Sequence, residues 1–338
     1  MKLIWWGIGL SLLFFLTGWV WFATYIYTPC PLTEEKLVYI PQGSGVRQIK
    51  TLLADQGLIK DDFRFLALAR LSGKAGHLRA GEYHIPPHLN PLQILRILVN
   101  GEVVLHQVTI PEGMNIQQIV TILEQDNWID SQRFTALTRD IEFIKTLGLN
   151  QDSLEGYLFP DTYSLARGEV TEESLIAMMV NNFLAVWKEI TANSTSDQVR
   201  QQILILASII EKETADPTER PLIARVFLNR LEKKMRLQSD PTVIYGLDNF
   251  SGNLTRKDLK EETPYNTYLI PGLPPGPICN PGKESISAVL HPADAPYYYF
   301  VSKNDGTHYF STTLREHNQA VRKYQKTNSK QNNPSKIP

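Results

Sequence analysis

The clearest hydrophobic pattern along this chain is a run of 25 residues, Leu3 to Tyr27, that contains no charged side chain. As a helix rising 1.5 Å per residue it would be roughly 37 Å long, enough to cross a hydrocarbon core of about 30 Å. Trp5, Trp6, Trp19, Trp21, Tyr25 and Tyr27 lie towards its two ends, as interfacial aromatics do, and Lys2 before it favours a cytoplasmic N-terminus. The run exceeds the roughly 7 to 15 apolar residues of a cleaved signal peptide, and no small residue beside Cys30 marks a cleavage site. The expectation is a transmembrane anchor over residues 1–30, with the rest of the chain outside the cytoplasm.

Beyond the anchor, residues 38–59 and 108–129 resemble each other at a constant offset of 70: Val38/Val108, Ile40/Ile110, Pro41/Pro111, Gly43/Gly113, Gln48/Gln118 and Ile49/Ile119 all correspond. Each copy predicts a short strand, a Pro-x-Gly turn and an amphipathic helix. A second echo follows each copy, "AGEYHIP" at 80–86 and "EGYLFPDTY" at 155–163, read as strand-like stretches that end at proline. The duplication predicts an α+β packing unit over residues 31–150, and it also suits an extended ligand.

From Thr171, a helix cap, the pattern turns helical through Leu175, Met179, Phe183 and Trp187. A polar break over Asn193–Asp197 precedes a second helix, "ILILASIIEKETADP" at 203–217, whose apolar run ends in Glu211-Lys212-Glu213 and stops near Pro217. A third helix is expected over 218–234, with Ile223, Phe227 and Leu231 on one stripe. The Pro-, Gly-, Asn- and Tyr-rich stretch 263–282 reads as an ordered loop, with Ser285 capping a short helix after it. A hairpin over 297–312 and a helix over 313–324 complete a region 151–325, ahead of a polar tail from Lys326 expected to be disordered.

Composition narrows the function. At 338 residues and 43% hydrophobic the chain has material for two or three cores, and its net charge of −1 gives no field to gather nucleic acid. Two cysteines, Cys30 and Cys279, exclude a disulfide-stapled fold. The seven histidines have no metal-binding spacing, and no serine elbow or phosphate-cradling glycine loop is present, so no metal or cofactor is expected.

The remaining chemistry is carboxylate chemistry. In helical projection Gln201, Leu204, Ser208, Glu211 and Ala215 share a mixed stripe, whereas Glu213 falls with Val199, Leu206 and the Ile209/Ile210 flank. Glu211 is therefore expected to face a cleft, with apolar neighbours and the negative helix end favouring a protonated carboxyl suited to general acid catalysis. The alternative is that Glu211-Lys212-Glu213 is a solvated helix end. Asp161 and Asp240 are the candidates for a second carboxylate, and Tyr265, Asn266, Tyr268 and Asn280 suit the faces and amides of sugars.

"LASIIEKET" (206–214), "RVFLNRL" (225–231), "MRLQSDPTVIYGL" (235–247), "PYNTYLIPGLPPGPICNPG" (264–282) and "HPADAPYYYFV" (291–301) resemble the endolytic murein transglycosylase, or YceG-like, family over roughly residues 38–325. The one departure noted is Thr263, where serine is expected. The resemblance implies an inner-membrane protein of bacteria with one N-terminal span, a LysM-like α+β module and a mixed α/β lysozyme-like catalytic domain over 151–325. It implies non-hydrolytic cleavage of peptidoglycan strands between N-acetylmuramic acid and N-acetylglucosamine, leaving a 1,6-anhydro end, beside penicillin-binding proteins and other wall-synthesis enzymes. Glu211 takes the catalytic position in this matching, with Ser208, Gln238, Ser239, Thr242, Tyr245, Tyr265, Asn266 and Thr267 expected to line the glycan cleft. A single acid is consistent with such a cut, because attack by the substrate's own hydroxyl needs no second carboxylate. The alternatives are a non-catalytic peptidoglycan-binding scaffold and a hydrolase using Asp240 or Glu213 as its second carboxylate.

Overall fold

The computed structural model describes residues 2–191 and 196–325. The tail from Lys326, part of the polar break at 193–195 and the side chain of Lys2 lie outside the described residues. The architecture is α+β. Contacts divide the chain into two compact units, one running up to Val108 with Tyr163–Val170 added, the other Thr109–Thr162 with the chain from Thr171 onward. The first copy lies wholly in the first unit, and the second straddles the division, its strand mostly in the first unit and its helix in the second.

In the first unit, α1 (Lys2–Tyr27) contains the stretch Trp5–Tyr27 that is long and apolar enough to cross a membrane. The first copy forms β1 (Lys36–Ile40) and α2 (Val46–Asp55), followed by α3 (Arg64–Leu71), β2 (Gly81–Ile85) and α4 (Pro91–Asn100). β1 and β2 are antiparallel, with Val38 opposite Tyr83, and alternate residues of both face a core of Val38, Ile40, Ile49, Leu53, Phe65, Tyr83, Ile85 and Ile94. Asn90 caps α4 with a full capping box, and Gly101 ends it in the left-handed conformation.

The second copy repeats the plan as β3 (Leu105–Thr109) and α5 (Ile116–Gln125), capped by Asn115. The short helices α6 (Ser131–Leu137) and α7 (Ile141–Thr146) follow, each capped by an aspartate, Asp130 and Asp140. β3 then pairs with β4 (Thr162–Ala166), as β1 pairs with β2. The second echo differs from expectation here. Its strand begins after Pro160, because Leu154–Pro160 is a buried turn in which Gly156, at φ 88°, brings its backbone against Pro277.

The second unit continues with α8 (Glu172–Thr191), α9 (Asp197–Glu213), α10 (Arg220–Glu232), α11 (Asp240–Gly246), α12 (Lys283–Leu290), the hairpin β5 (Tyr299–Ser302) and β6 (His308–Ser311), and α13 (Leu314–Tyr324). α9 is the core helix: Leu204 to Ile210 are all buried, and it packs on α10, α11 and α12. Thr171 caps α8 by accepting from the Ser174 N–H, and stretch 263–282 is irregular as expected. Ser285 does not cap α12. The helix cap is Gly282, three residues earlier, and Ser285 is buried inside the helix.

The turns of the two copies share one backbone constraint, since Gly43 and Gly113 both have φ 77°. At that angle a Cβ strains the backbone whatever the space around it. Gly43→Ala and Gly113→Ala are each expected to destabilise the chain by about 1 kcal/mol. Gly76→Ala, at an open position without positive φ, stays near wild type, as thermal unfolding of the full chain in detergent will show.

Candidate active site

Two carboxylates end α9, and the structure sends them to different environments. Glu211 faces Arg220: the Arg220 Nη2 donates to Glu211 Oε1 at 3.0 Å, with the two side chains 8% and 5% exposed. The Gly282 backbone N–H donates to the other oxygen at 2.9 Å. Glu112, from the Pro-Glu-Gly turn of the second copy, lies 3.7 Å from the same guanidinium. Burial first, and the Glu211 charge second, push the Glu112 carboxyl up. Lys212 donates to the Gly113 carbonyl at 3.2 Å. This side of the helix end is a closed ionic joint.

Glu213 instead opens on a polar cavity of about 490 Å³, lined also by Arg230, Gln238, Asp240, Tyr268, Tyr299, His308 and His317. Ser239 Oγ donates to Glu213 Oε1 at 2.5 Å. Burial pushes the carboxyl up to about 7 against that hydrogen bond, with the Asp240 charge raising it and the Arg230 charge lowering it. Glu213 thus lines the cavity, whereas Glu211, also buried, is held by Arg220 and the Gly282 N–H. The projection had no way to register Arg220, which arrives from the next helix and claims Glu211.

The cavity wall is built from two loops sewn together. The Gln238 N–H donates to the Thr267 carbonyl, the Ser239 N–H to Thr267 Oγ1, and Thr242 Oγ1 lies 2.8 Å from the same hydroxyl. Gln238 takes φ 51°, a left-handed conformation at the cavity edge. Tyr268 Oη donates to Asp240 Oδ1 at 2.7 Å. Arg230 is locked by donating to the carbonyls of Tyr298 and Leu237, at 2.7 and 2.6 Å. His308 Nδ1 meets Glu219 Oε2 at 2.6 Å while its backbone N–H donates to Oε1, which fixes the ring.

Of the residues expected to line a cleft, Gln238 does so and Ser239 grips the acid. Thr242, Asn266 and Thr267 are fully buried behind them, and Asn266 ties its loop by donating to the Leu259 and Glu261 carbonyls. Ser208 is also fully buried, accepting from the Ile278 N–H at 3.0 Å, so it packs the loop on α9 and lines no cavity. Tyr245 and Tyr265, 4.7 Å apart edge to face, turn to a third acid. That acid, Glu155, is 7% exposed and accepts from the Ile116 N–H, Asn280 and Tyr245 Oη. Burial pushes it up to about 7 in spite of those donors. Sequence reading passed over Glu155, Arg220, Arg230 and His308. Arg220, Asn229 and Arg230 are buried polar residues on an otherwise core-facing helix, and that density of polar groups among apolar ones was the available signal.

The fold is α+β with an apolar N-terminal helix, and its polar cavity is lined by two acids, Glu213 and Asp240. Residues 38–323 match the YceG-like family, and the chain belongs to it. It is 35% identical over 306 residues to a Bacillus subtilis (strain 168) protein named endolytic murein transglycosylase, covering 85% of this chain and 84% of that one. A Streptococcus pneumoniae serotype 2 protein of the same name is 30% identical over 330 residues, and the match spans 87% of this chain but 59% of that longer relative. The crystal structure of a yceG-like protein from Listeria monocytogenes is similar at 35% identity and a TM-score of 0.57, over 85% of this chain and 99% of that one.

The joint and the acids make two predictions. Arg220→Ala leaves Glu211 buried without its cation and is expected to cost about 3 to 5 kcal/mol in unfolding experiments. Glu155 and Glu213 hold protons up to about 7 when folded, against an ordinary 4.5, so the folded state binds more protons across that window. Stability is therefore expected to fall as pH rises from about 4.5 to about 7. Thermal midpoints measured across the window will fall less steeply in the Glu155→Gln/Glu213→Gln double variant.

Proposed function

We propose that this chain is a membrane-anchored endolytic murein transglycosylase whose acid is Glu213 rather than Glu211. The observation that carries the reading is Glu213 itself: a carboxyl raised to about 7, on a 490 Å³ polar cavity, held by Ser239. The names of the Bacillus and Streptococcus relatives support murein as the substrate. An acid poised near neutrality is protonated often enough to give its proton to a glycosidic oxygen, and basic enough afterwards to take one back.

In this mechanism Glu213 protonates the oxygen between N-acetylmuramic acid and N-acetylglucosamine as the bond breaks. The resulting carboxylate accepts the proton of the muramic acid C6 hydroxyl as that oxygen closes the 1,6-anhydro ring, so water enters no product. The fixed Arg230 guanidinium and the Tyr268–Asp240 pair offer polar contacts to sugar hydroxyl and acetamido groups. The first unit serves as the LysM-like holder of glycan and the second as the lysozyme-like cutting unit, with α1 crossing the cytoplasmic membrane, N-terminus inside. The cutting unit then stands outside, among penicillin-binding proteins and other wall-synthesis enzymes.

A hydrolase is the second reading, because Asp240 lines the same cavity as Glu213 and two carboxylates can run hydrolysis. Digestion of purified peptidoglycan in ¹⁸O-labelled water separates the two: anhydro ends without label support the transglycosylase, and labelled reducing ends support the hydrolase. In the same assay Glu213→Gln is expected to lower the rate by about 10²- to 10⁴-fold, while the folded fraction of Glu211→Gln keeps cutting. The opposite ranking would return the acid to Glu211.

A further inference from the structure

We infer that the foot of the anchor helix and the corner between α2 and α3 form a binding site for the headgroup of an anionic phospholipid. The inference rests on the proposal that α1 spans a membrane. The helix does not lead into a free linker. Tyr25 and Cys30 are buried in the core of the first unit, Phe22 and Ile26 pack against it, and the Cys30 N–H donates to the Leu89 carbonyl at 2.8 Å.

That rigid junction fixes a depth. Trp21 lies six residues before Tyr27, about 9 Å down the helix. Its ring centroid is 5.8 Å from that of Phe63, which is 63% exposed. Phe63 therefore sits as deep as Trp21. Lys60, Asp62 and Arg64 flank it and are too costly to sink into hydrocarbon, so the hydrocarbon must end near Trp21. The apolar run up to Trp21 is then roughly 29 Å long, which fills a core of about 30 Å. Phe63 wets the hydrocarbon edge, and the segment Thr24–Thr28 stands in the headgroup layer.

At that level lies a cavity of about 230 Å³, lined by Thr24, Tyr25, Thr28, Lys60 and Arg64 among others. Tyr25 is 5% exposed and its buried hydroxyl has no hydrogen-bond partner among the described residues. The Arg64 guanidinium lies 4.3 Å from the centroids of both Trp21 and Tyr25 and is paired with Asp62 at 2.6 Å. With Asp61 taken by Lys50, one phenol donor, the cations Lys60 and Arg64 and the counter-anion Asp62 leave the site a net positive charge. A phosphodiester in the headgroup layer satisfies the phenol and that charge together.

The test uses the full chain in phosphatidylcholine vesicles with and without about 30 mol% phosphatidylglycerol. An environment-sensitive fluorophore is placed at Phe63→Cys, the native Cys30 and Cys279 being buried. Quenching by acyl-brominated lipid, shielding from aqueous iodide, and retained phosphatidylglycerol that drops about fivefold or more in Lys60→Glu are the expected results. Iodide access at position 63, or lipid retention unchanged by Lys60→Glu, in protein that resists alkaline extraction overturns the headgroup site and leaves the anchor standing. Release by alkaline extraction overturns the anchor and the site with it. Inorganic phosphate displacing the lipid at equal charge would show an anion site indifferent to the membrane, which also overturns the inference.

Discussion

Two side chains two positions apart on an α-helix point about 160° apart, so Glu211 and Glu213 face opposite sides of α9. The structure depends on how that geometry is resolved at the end of α9. A buried guanidinium demands a counter-charge, and Arg220 takes Glu211. Gly282 then donates its backbone N–H to the same carboxylate and starts α12, while the second copy's turn closes over the joint through Glu112 and the Gly113 carbonyl. With one face of the helix end committed in this way, Glu213 is turned to the other.

That second face gains its chemistry from packing. Seven consecutive buried residues before Glu211 drive α9 through the unit's core, so the last turn surfaces with little water around it. Ser239 can reach Glu213 because Thr267 accepts from the Ser239 N–H and holds that loop. The hydroxyls of Thr242 and Thr267 are buried inside the loop packing, and they hold the loop from which Ser239 donates to Glu213. Arg230 and Asp240 act on Glu213 in opposite senses, leaving burial to dominate. A carboxyl balanced near 7 is what remains.

Much of the fold was legible because it is written in local patterns. The N-terminal helix is an uninterrupted apolar run, the duplicated turn carries glycine where φ is positive, and Thr171 caps its helix as a side-chain acceptor. The neighbours of the two glutamates were less legible, because they come from other elements. Projection separates the two glutamates into faces correctly, but a face has no label until its neighbours are known, and Arg220 and Ser239 come from elsewhere in the chain. Ser208 shows the same limit from the other side: it shares a stripe with Glu211, yet the 278 loop covers it. Tyr245 and Tyr265 look like sugar-stacking aromatics until Glu155 appears behind them, a contact spanning 90 residues.

Burial, opposed by the Ser239 hydrogen bond, sets the Glu213 carboxyl above its ordinary range, and a site-resolved titration measures that directly. With ¹³C-labelled glutamate, the side-chain carbon of Glu213, assigned by its loss in Glu213→Gln, is expected to titrate near 7 in the folded chain. A Glu213 carboxyl titrating at its ordinary value of 4.5 would contradict the account.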